Sequence, residues 1–212
     1  MTTSDGAYYQ RNRAVHPPAL APGYKSTVAR APRRQLIRLP GAVGETTGPV
    51  FGHTDIEPGD NDLLTNYAAA GESPIGERTI LHGRVLDENA RPSPNTLVEI
   101  WQANAGGRYR HKMDTYFAPI DPNFGGCGRT ITDETGYYTF HTVQHGVYPR
   151  PNDKNSWRPA HIHLSLFGNA FCQRLITQCY FEGDPFIPIC PILHAVPDPA
   201  AIDQLTAKLD LE

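Results

Sequence analysis

The stretch that decides the fold covers residues 136–168 and reads GYYTFHTVQHGVYPRPNDKNSWRPAHIHLSLFG. It opens with an aromatic and β-branched run over 136–143 and closes with a second run over 159–168, each bounded by Gly or Pro. Runs of this composition and length are typical of short strands. The segment between them, rich in Pro and Asn, predicts a loop.

Three further runs have the same character. They are RTILHGRVLD (78–87), TLVEIWQAN (96–104) and QRLITQCYFEGD (173–184). In the second run, Val98 and Ile100 face one side of the expected strand, and Leu97, Glu99 and Trp101 face the other. Short strands separated by turns predict a mainly β protein with a β-sandwich fold and only a few short helices.

Residues 1–75 differ from the rest of the chain because they are rich in Pro and only weakly periodic. Much of this region looks like an arm that needs another surface to lie against. We therefore expect an irregular N-terminal arm that contacts a partner subunit. The sandwich domain would then cover residues 76–212.

Two segments have helical character. The first covers residues 60–69, where Asp60 or Asn61 can cap the amino end. The second covers residues 198–212, where Asp198 can cap. The residues expected to face inward are Leu63 and Leu64 in the first helix and Ile202, Leu205 and Leu209 in the second.

Composition limits the partners and the compartment. The 212 residues carry a formal net charge of −3 without a basic run, which argues against nucleic acid as a partner. No window reaches the apolar length of a membrane span, and the amino-terminal residues lack the apolar core of a secretory signal. The cysteines form no CxxC pattern, so we expect reduced thiols and a cytoplasmic protein. They are Cys127, Cys172, Cys179 and Cys190.

Two histidines and two tyrosines could share one metal ion. His161 and His163 are two residues apart in an expected strand, so both imidazoles point to the same face. Tyr109 and Tyr148 lie in loops, and either tyrosine alone is more often structural than functional. Phenolate forms at neutral pH only beside a strongly Lewis-acidic ion, which favours Fe(III) over Zn(II) or Mg(II). A zinc or copper site built on the histidines alone is the alternative.

Several segments resemble the signatures of intradiol ring-cleaving dioxygenases. They are WQANAGGRYRHK (101–112), DPNFGG (121–126), WRPAHIHL (157–164) and LITQCYFEGDP (175–185). The segments APGYKS (21–26) and ETTGP (45–49) resemble the β chains of the protocatechuate-cleaving members. The resemblance implies that non-haem Fe(III) binds to Tyr109, Tyr148, His161 and His163. A solvent hydroxide would complete the ligand set.

The resemblance also implies a reaction. Both atoms of O₂ enter protocatechuate, and the ring opens between the two hydroxylated carbons to give 3-carboxy-cis,cis-muconate. Tyr148 is expected to leave the iron and accept a substrate proton, while Arg158 stabilises negative charge and Gln178 contacts the reacting intermediate. Tyr24 is expected near the substrate carboxylate. Trp101 and Ile192 are expected to form apolar walls.

Two departures from the family pattern carry expectations of their own. The resemblance leads us to expect Trp after the Tyr-Pro pair, but this chain has Arg150. This extra cation either favours an anionic substrate or points outward without effect. Family β chains continue beyond the KLDLE segment, whereas this sequence stops at Glu212. We therefore expect either a truncated sequence or a missing sandwich strand, which would be destabilising.

The resemblance implies a homologous α chain as the partner in a hetero-oligomer. Two alternatives to the proposed activity stay open. The first is a catechol or hydroxyquinol 1,2-dioxygenase, although these enzymes carry a helical dimerisation segment that residues 1–75 do not show. The second, from another functional class, is a non-catalytic sandwich subunit without a working metal.

Overall fold

The computed structural model describes residues 16–34, 55–168 and 174–210. These residues contain short strands and two six-residue helices, α1 and α2, with 3-10 turns at Ile187–Ile189 and Leu193–Ala195. The elements in chain order are α1 Lys25–Arg30, β1 Arg78–Arg84, β2 Leu97–Trp101, β3 Cys127–Ile131, β4 Tyr137–Val143, β5 Tyr148–Pro149, β6 Trp157–Arg158, β7 His161–Phe167, β8 Arg174–Phe181, α2 Pro199–Gln204 and β9 Thr206–Ala207. The mainly β prediction is confirmed.

Two sheets enclose the core. A five-stranded sheet has the order β3-β2-β7-β8-β9, and β1 pairs with β4 in a separate two-stranded sheet. All pairs are antiparallel except β8 with β9. The buried cluster between the sheets comprises Leu63, Leu81, Val98, Ile100, Phe124, Phe140, Val143, Ile162 and Leu164. This two-layer packing agrees with the predicted β-sandwich.

Strand alternation separates the core from the polar chemistry. Val98 and Ile100 on β2 and Ile162 on β7 are buried in the core, as the alternation of the sequence predicted. The intervening residues lie on the opposite face of the sheet. There, cross-strand pairing places Trp101 beside His163.

The predicted strands exist, but each is shorter than its sequence run, and the two-residue strands β5 and β6 form inside the segment predicted as a loop. Strand β3 was missed. Its sequence, CGRTI, is short and contains Gly128, which weakens a strand signal. A Cβ at Gly128 would lie 2.5 Å from Leu63 Cδ1, so the glycine makes room for a core side chain. Tertiary packing, rather than local propensity, accounts for this strand.

The predicted helix over 60–69 is wrong. The segment forms turns, and the backbone N–H of Leu63 donates to the carbonyl of His141 on β4 at 2.8 Å. The Asp62 side chain accepts from the Leu64 N–H at 3.0 Å, and Asn66 donates to the Cys127 carbonyl at 2.9 Å. Pairing with the sandwich outweighs the weak helical propensity of this segment.

The predicted helix over 198–212 is correct only at its beginning. The side chain of Asp198 accepts from the Ala200 N–H, as expected of a cap. The helix ends at Gln204, because the following residues pair with β8 as strand β9. Ile202 and Leu205 pack against a buried cluster, whereas Leu209 is 72% exposed.

Some predictions fall outside the described residues. These include the ETTGP segment, Cys172 and residues 1–15 of the expected arm. The division of the chain near residue 75 stays a prediction. Across 16–34, 55–168 and 174–210, no helix is long and apolar enough to cross a bilayer. The described cysteines, Cys127, Cys179 and Cys190, are free thiols.

Candidate metal centre

The four predicted ligands converge at one end of the five-stranded sheet. Tyr148 Oη lies 3.3 Å from His161 Nε2. The ring centroids of His161 and His163 are 4.9 Å apart, and those of Tyr109 and Tyr148 are 5.5 Å apart. Tyr109 also lies near His163, with ring centroids at 6.3 Å. Residues far apart in sequence thus form one cluster.

The Tyr109 hydroxyl is the most informative group in this cluster. It is buried and has no hydrogen-bond partner among the described residues. An unsatisfied buried hydroxyl costs about 1–3 kcal/mol. Burial, followed by the neighbouring Tyr148, raises the pKa of Tyr109 far above its ordinary value. Such a phenol stays protonated unless a cation binds beside it, so the residues present fit a strongly acidic metal ion.

The two histidines are suited to donate lone pairs. Burial lowers the pKa of His163 to about 4 and places that of His161 well below its ordinary value, so both imidazoles are neutral at pH 7. His161 Nδ1 lies 2.7 Å from the Pro159 carbonyl, which assigns the proton to Nδ1. The other nitrogen, Nε2, is then a free acceptor facing Tyr148.

Tyrosine oxygens are needed to complete any ligand set at this site. Within the part of the chain that the structure describes, no group of three or more His, Cys, Asp or Glu side chains is placed to hold a metal ion. Two imidazoles alone are fewer than the three or four protein ligands that most metal sites use. Tyr109 and Tyr148 are the nearby side chains placed to offer further donors.

Tyr109 is carried by a loop that side chains hold in place. Its backbone N–H donates to Asp114 Oδ2 at 2.8 Å. Asn104 Oδ1 accepts from the N–H groups of Gly106 and Arg108 at 3.0 and 2.9 Å, and its amide donates to the Pro119 carbonyl at 2.9 Å. Asn104 is itself buried. The loop therefore holds its shape without belonging to a sheet.

Tyr148 is carried by a much shorter ladder. Strand β5 pairs only Tyr148 with Arg158 and Pro149 with Trp157 of β6. One further hydrogen bond, from the Arg150 N–H to the Ser156 carbonyl at 2.8 Å, extends this pairing. Two strands of two residues are a weak restraint on the backbone.

Arg158 and Gln178 meet through a residue that the sequence analysis did not single out. Arg158 is buried, and its Nη2 donates to Gln178 Oε1 at 2.7 Å and to Tyr180 Oη at 2.9 Å. Tyr180 Oη also contacts Gln178 Oε1. Gln178 Nε2 lies 3.3 Å from His163 Nδ1, so this network reaches a candidate ligand.

The four residues predicted to bind the substrate lie in two places. Trp101 stacks on His163 at 4.8 Å with nearly parallel rings, which puts it in the cluster. Tyr24 lies elsewhere, and its hydroxyl accepts from Arg150 Nη2 at 2.7 Å. Tyr24 and Ile192 line a common cavity of about 380 Å³. Arg150 links Tyr24 to the cluster of candidate ligands, because it contacts Tyr24 and follows Tyr148 by two residues.

Two residues of the site escaped the sequence analysis. Tyr180 could have been found by strand alternation, because it follows Gln178 by two residues and must share its face. His145 left no local signal. Its imidazole contacts the backbone of His161, which only the folded chain reveals.

The chain is similar in sequence to known dioxygenases. A family model described as Dioxygenase matches residues 46–212, and one described as Protocatechuate 3,4-dioxygenase beta subunit N terminal matches residues 9–42. The chain is 49% identical over 202 residues to the protocatechuate 3,4-dioxygenase beta chain of Burkholderia cepacia, covering 95% of this chain and 85% of that one. It is 31% identical over 178 residues to the alpha chain of the Pseudomonas putida enzyme, covering 80% and 84%.

Solved structures agree with these similarities. 3-Chlorocatechol 1,2-dioxygenase from Rhodococcus opacus 1CP superposes with a TM-score of 0.55 at 25% identity, covering 77% of this chain and 63% of that chain. The dioxygenase domain of a dioxygenase carbohydrate-binding protein fusion from Streptomyces sp. SirexAA-E gives a TM-score of 0.50 at 28% identity, covering 75% and 81%.

Proposed function

The chain belongs to the intradiol ring-cleaving dioxygenase family, and on that premise we propose that it is the iron-binding chain of an enzyme that cleaves protocatechuate. The observation that carries this proposal is the convergence of Tyr109, Tyr148, His161 and His163, with the Tyr109 hydroxyl buried and unpaired. The product would be 3-carboxy-cis,cis-muconate, formed by insertion of both atoms of O₂.

Enzymes of this family use non-haem iron, and we propose that the four converging residues hold Fe(III) here. Two phenolates and a hydroxide would balance the charge of a ferric ion. The chemistry that the ion supplies when bound is Lewis acidity, which keeps the phenols ionised and activates a catechol toward O₂. The neutral imidazoles of His161 and His163 fit this role, because neither has to lose a proton first.

Tyr148 is the group that we propose to move a proton. A catechol must lose its hydroxyl protons when it binds through both oxygens, and the phenolate oxygen of Tyr148 would accept one of them. The two-residue ladder that holds Tyr148 suits a side chain that has to swing away. The more firmly held Tyr109 would stay in place.

Arg158 would stabilise the negative charge that develops on the substrate. It is buried, and none of the ion pairs formed by the described residues includes it. Its Nη2 is oriented by Gln178 and Tyr180, whereas its Nε has no hydrogen-bond partner among the described residues. A buried guanidinium with an unpaired N–H donor is available to bind an anion.

The pair formed by Tyr24 and Arg150 supports a carboxylated substrate. Arg150 is half-buried, and its guanidinium lies 5.4 Å from the centroid of the Tyr24 ring. A cation fixed near Tyr148 would favour protocatechuate over catechol, which lacks the carboxylate.

We propose a homologous alpha chain as the partner. The match of residues 9–42 to a beta-subunit model and the 31% identity to an alpha chain support a hetero-oligomer of related chains. The extensive N-terminal region would then contact that partner, as the Pro-rich arm predicted.

Oxygen uptake tests the proposed function. The chain would be loaded with ferric iron, with and without a homologous alpha chain, and given protocatechuate, catechol or hydroxyquinol. We expect equimolar consumption of O₂ and protocatechuate, with 3-carboxy-cis,cis-muconate as the product. Faster turnover of catechol or hydroxyquinol would favour the alternative substrates. Absence of turnover by the iron-loaded complex would favour the non-catalytic subunit.

A further inference from the structure

His145 lies at the junction of the segments that carry the candidate ligands. Its side chain is 3% exposed, and the ring centroids of His145 and His161 are 5.2 Å apart. Nδ1 lies 2.6 Å from the Gly146 carbonyl, and Nε2 contacts the backbone N–H and carbonyl of His161. If Nδ1 carries the proton, it donates to Gly146 and leaves Nε2 to accept from the His161 N–H.

The same junction includes the loop that leads to Tyr109. The Asn104 carbonyl accepts from the N–H groups of Gly107 and Gly146 at 2.9 and 3.1 Å. A Cβ on Gly146 would lie 2.4 Å from the Ala105 carbonyl oxygen, so the two backbones are in direct contact. His145 is therefore attached to both tyrosine segments through backbone packing, and to the histidine strand through its ring.

The His145 ring lies between the start of β7 and the segment that carries Tyr148. His161 begins β7, and its backbone N–H faces the His145 ring rather than a neighbouring strand. Tyr148 follows His145 by three residues. The imidazole thus spans the gap between two backbones whose side chains must meet at one ion.

We infer that His145 is a positioning residue that fixes the His161 backbone relative to Tyr148. The inference rests on the proposed function, because it concerns the distance between two proposed iron ligands. His145 is assigned no contact with the substrate. It acts by accepting the His161 N–H, and removing that acceptor would leave a buried donor unpaired and free the start of β7 to shift.

The test compares His145→Gln with His145→Asn. Both amides can accept a hydrogen bond, but only the Gln side chain is long enough to approach the reach of the imidazole Nε2. His145→Leu removes the acceptor, and His141→Leu, at an exposed histidine on β4, is the matched control. Ferric-iron affinity is measured by chelator competition, together with the visible tyrosinate band and the unfolding temperature of the iron-free protein.

We expect His145→Leu and His145→Asn to bind iron about 10- to 100-fold more weakly, with a shifted visible band. His145→Gln should retain most of the affinity and the wild-type band, and His141→Leu should match the wild type. Equal affinities and bands for the Gln and Asn variants would overturn the inference, even if His145→Leu fails to fold. A wild-type protein without any tyrosinate band would instead overturn the proposed function.

Discussion

The two tyrosine-bearing regions of the molecule differ in how firmly they are held. In the region around Tyr109, Asn104 and Asp114 satisfy the loop backbone through side-chain hydrogen bonds. The backbone of Tyr148 itself is held in a two-residue ladder with one flanking hydrogen bond. The first region resembles a fixed support, and the second resembles a hinged one.

A cluster with one firmly held and one loosely held tyrosine could both keep a metal ion and exchange a ligand. A side chain that dissociates from a metal ion and binds again needs a backbone that can move. The remaining ligands must keep their geometry during that movement. The unpaired hydroxyl of Tyr109 and the 3.3 Å contact of Tyr148 with His161 fit this division.

Removing the two hydroxyls separately should give the largest and most different effects. We expect Tyr109→Phe to abolish stable ferric binding, while the iron-free protein gains up to about 1–3 kcal/mol because a buried unsatisfied hydroxyl is lost. Tyr148→Phe should keep some iron but lose about 10²- to 10⁴-fold in turnover, because the proton acceptor is gone. Iron content, denaturant unfolding and oxygen uptake measure these quantities.

Tyr116→Phe, a substitution in the same loop as Tyr109, is the control for both variants. It should leave iron content and turnover unchanged. If Tyr109→Phe and Tyr148→Phe lose iron and turnover to the same extent, the division into a fixed and a hinged ligand is wrong.

A methyl group placed between the two regions should disturb both. Gly107 has φ +79°, and a Cβ there would lie 2.3 Å from the Val147 carbonyl oxygen. Gly183 has the same φ with open space around it, so Gly183→Ala measures the backbone strain alone, about 1–2 kcal/mol. We expect Gly107→Ala to lower the free energy of unfolding by about 1–3 kcal/mol more. Equal losses of unfolding free energy in Gly107→Ala and Gly183→Ala would show that the two regions are not in tight contact at Gly107.

Loosening the fixed region alone should have a smaller effect. Asn104→Ala leaves the N–H groups of Gly106 and Arg108 without their acceptor, which should cost about 1–3 kcal/mol of unfolding free energy and weaken iron binding. Asn104→Asp keeps the acceptor oxygen and should recover part of both losses. An Asn104→Ala protein with wild-type iron affinity would show that the loop is not needed to fix Tyr109.

The smallest effect is expected from an ion pair outside both regions. Asp60 Oδ2 accepts from Arg129 Nε at 2.8 Å, and this hydrogen bond lowers the pKa of Asp60. A lowered carboxyl pKa stabilises the fold above the unfolded value of about 3.9, and the gain is lost as pH falls through the folded value. Asp60→Asn should cost less than about 1 kcal/mol at pH 7 and nothing below that range. Altered iron binding in this variant would contradict its use as a reference.

Sequence patterns predicted the main strands, but they predicted the segments that pair with those strands less well. Alternation of apolar and polar residues revealed the main strands, because burial of one face imposes that alternation. The segment around Leu63 was mistaken for a helix, because its partner, the His141 carbonyl, lies far away in sequence. The ending of α2 depended in the same way on the distant strand β8.

The candidate site shows the same limit. Two histidines in one strand and two loop tyrosines were visible as residue types, and their resemblance to family motifs assembled them. The contact of His145 with the His161 backbone depends on three segments that meet only in the folded chain, so no local sequence pattern predicts it. Tyr180 followed the alternation rule and was detectable in principle.

Whether Tyr109 and Tyr148 bind iron is tested by the visible spectrum of the ferric-loaded protein with a homologous alpha chain, recorded before and after anaerobic addition of protocatechuate. We expect a burgundy tyrosinate-to-iron band that shifts when substrate binds and decays when O₂ is admitted. The same addition to Tyr148→Phe should change the band less, because no tyrosinate is displaced. A protein that stays colourless after ferric loading would contradict the assignment of Tyr109 and Tyr148 as ligands.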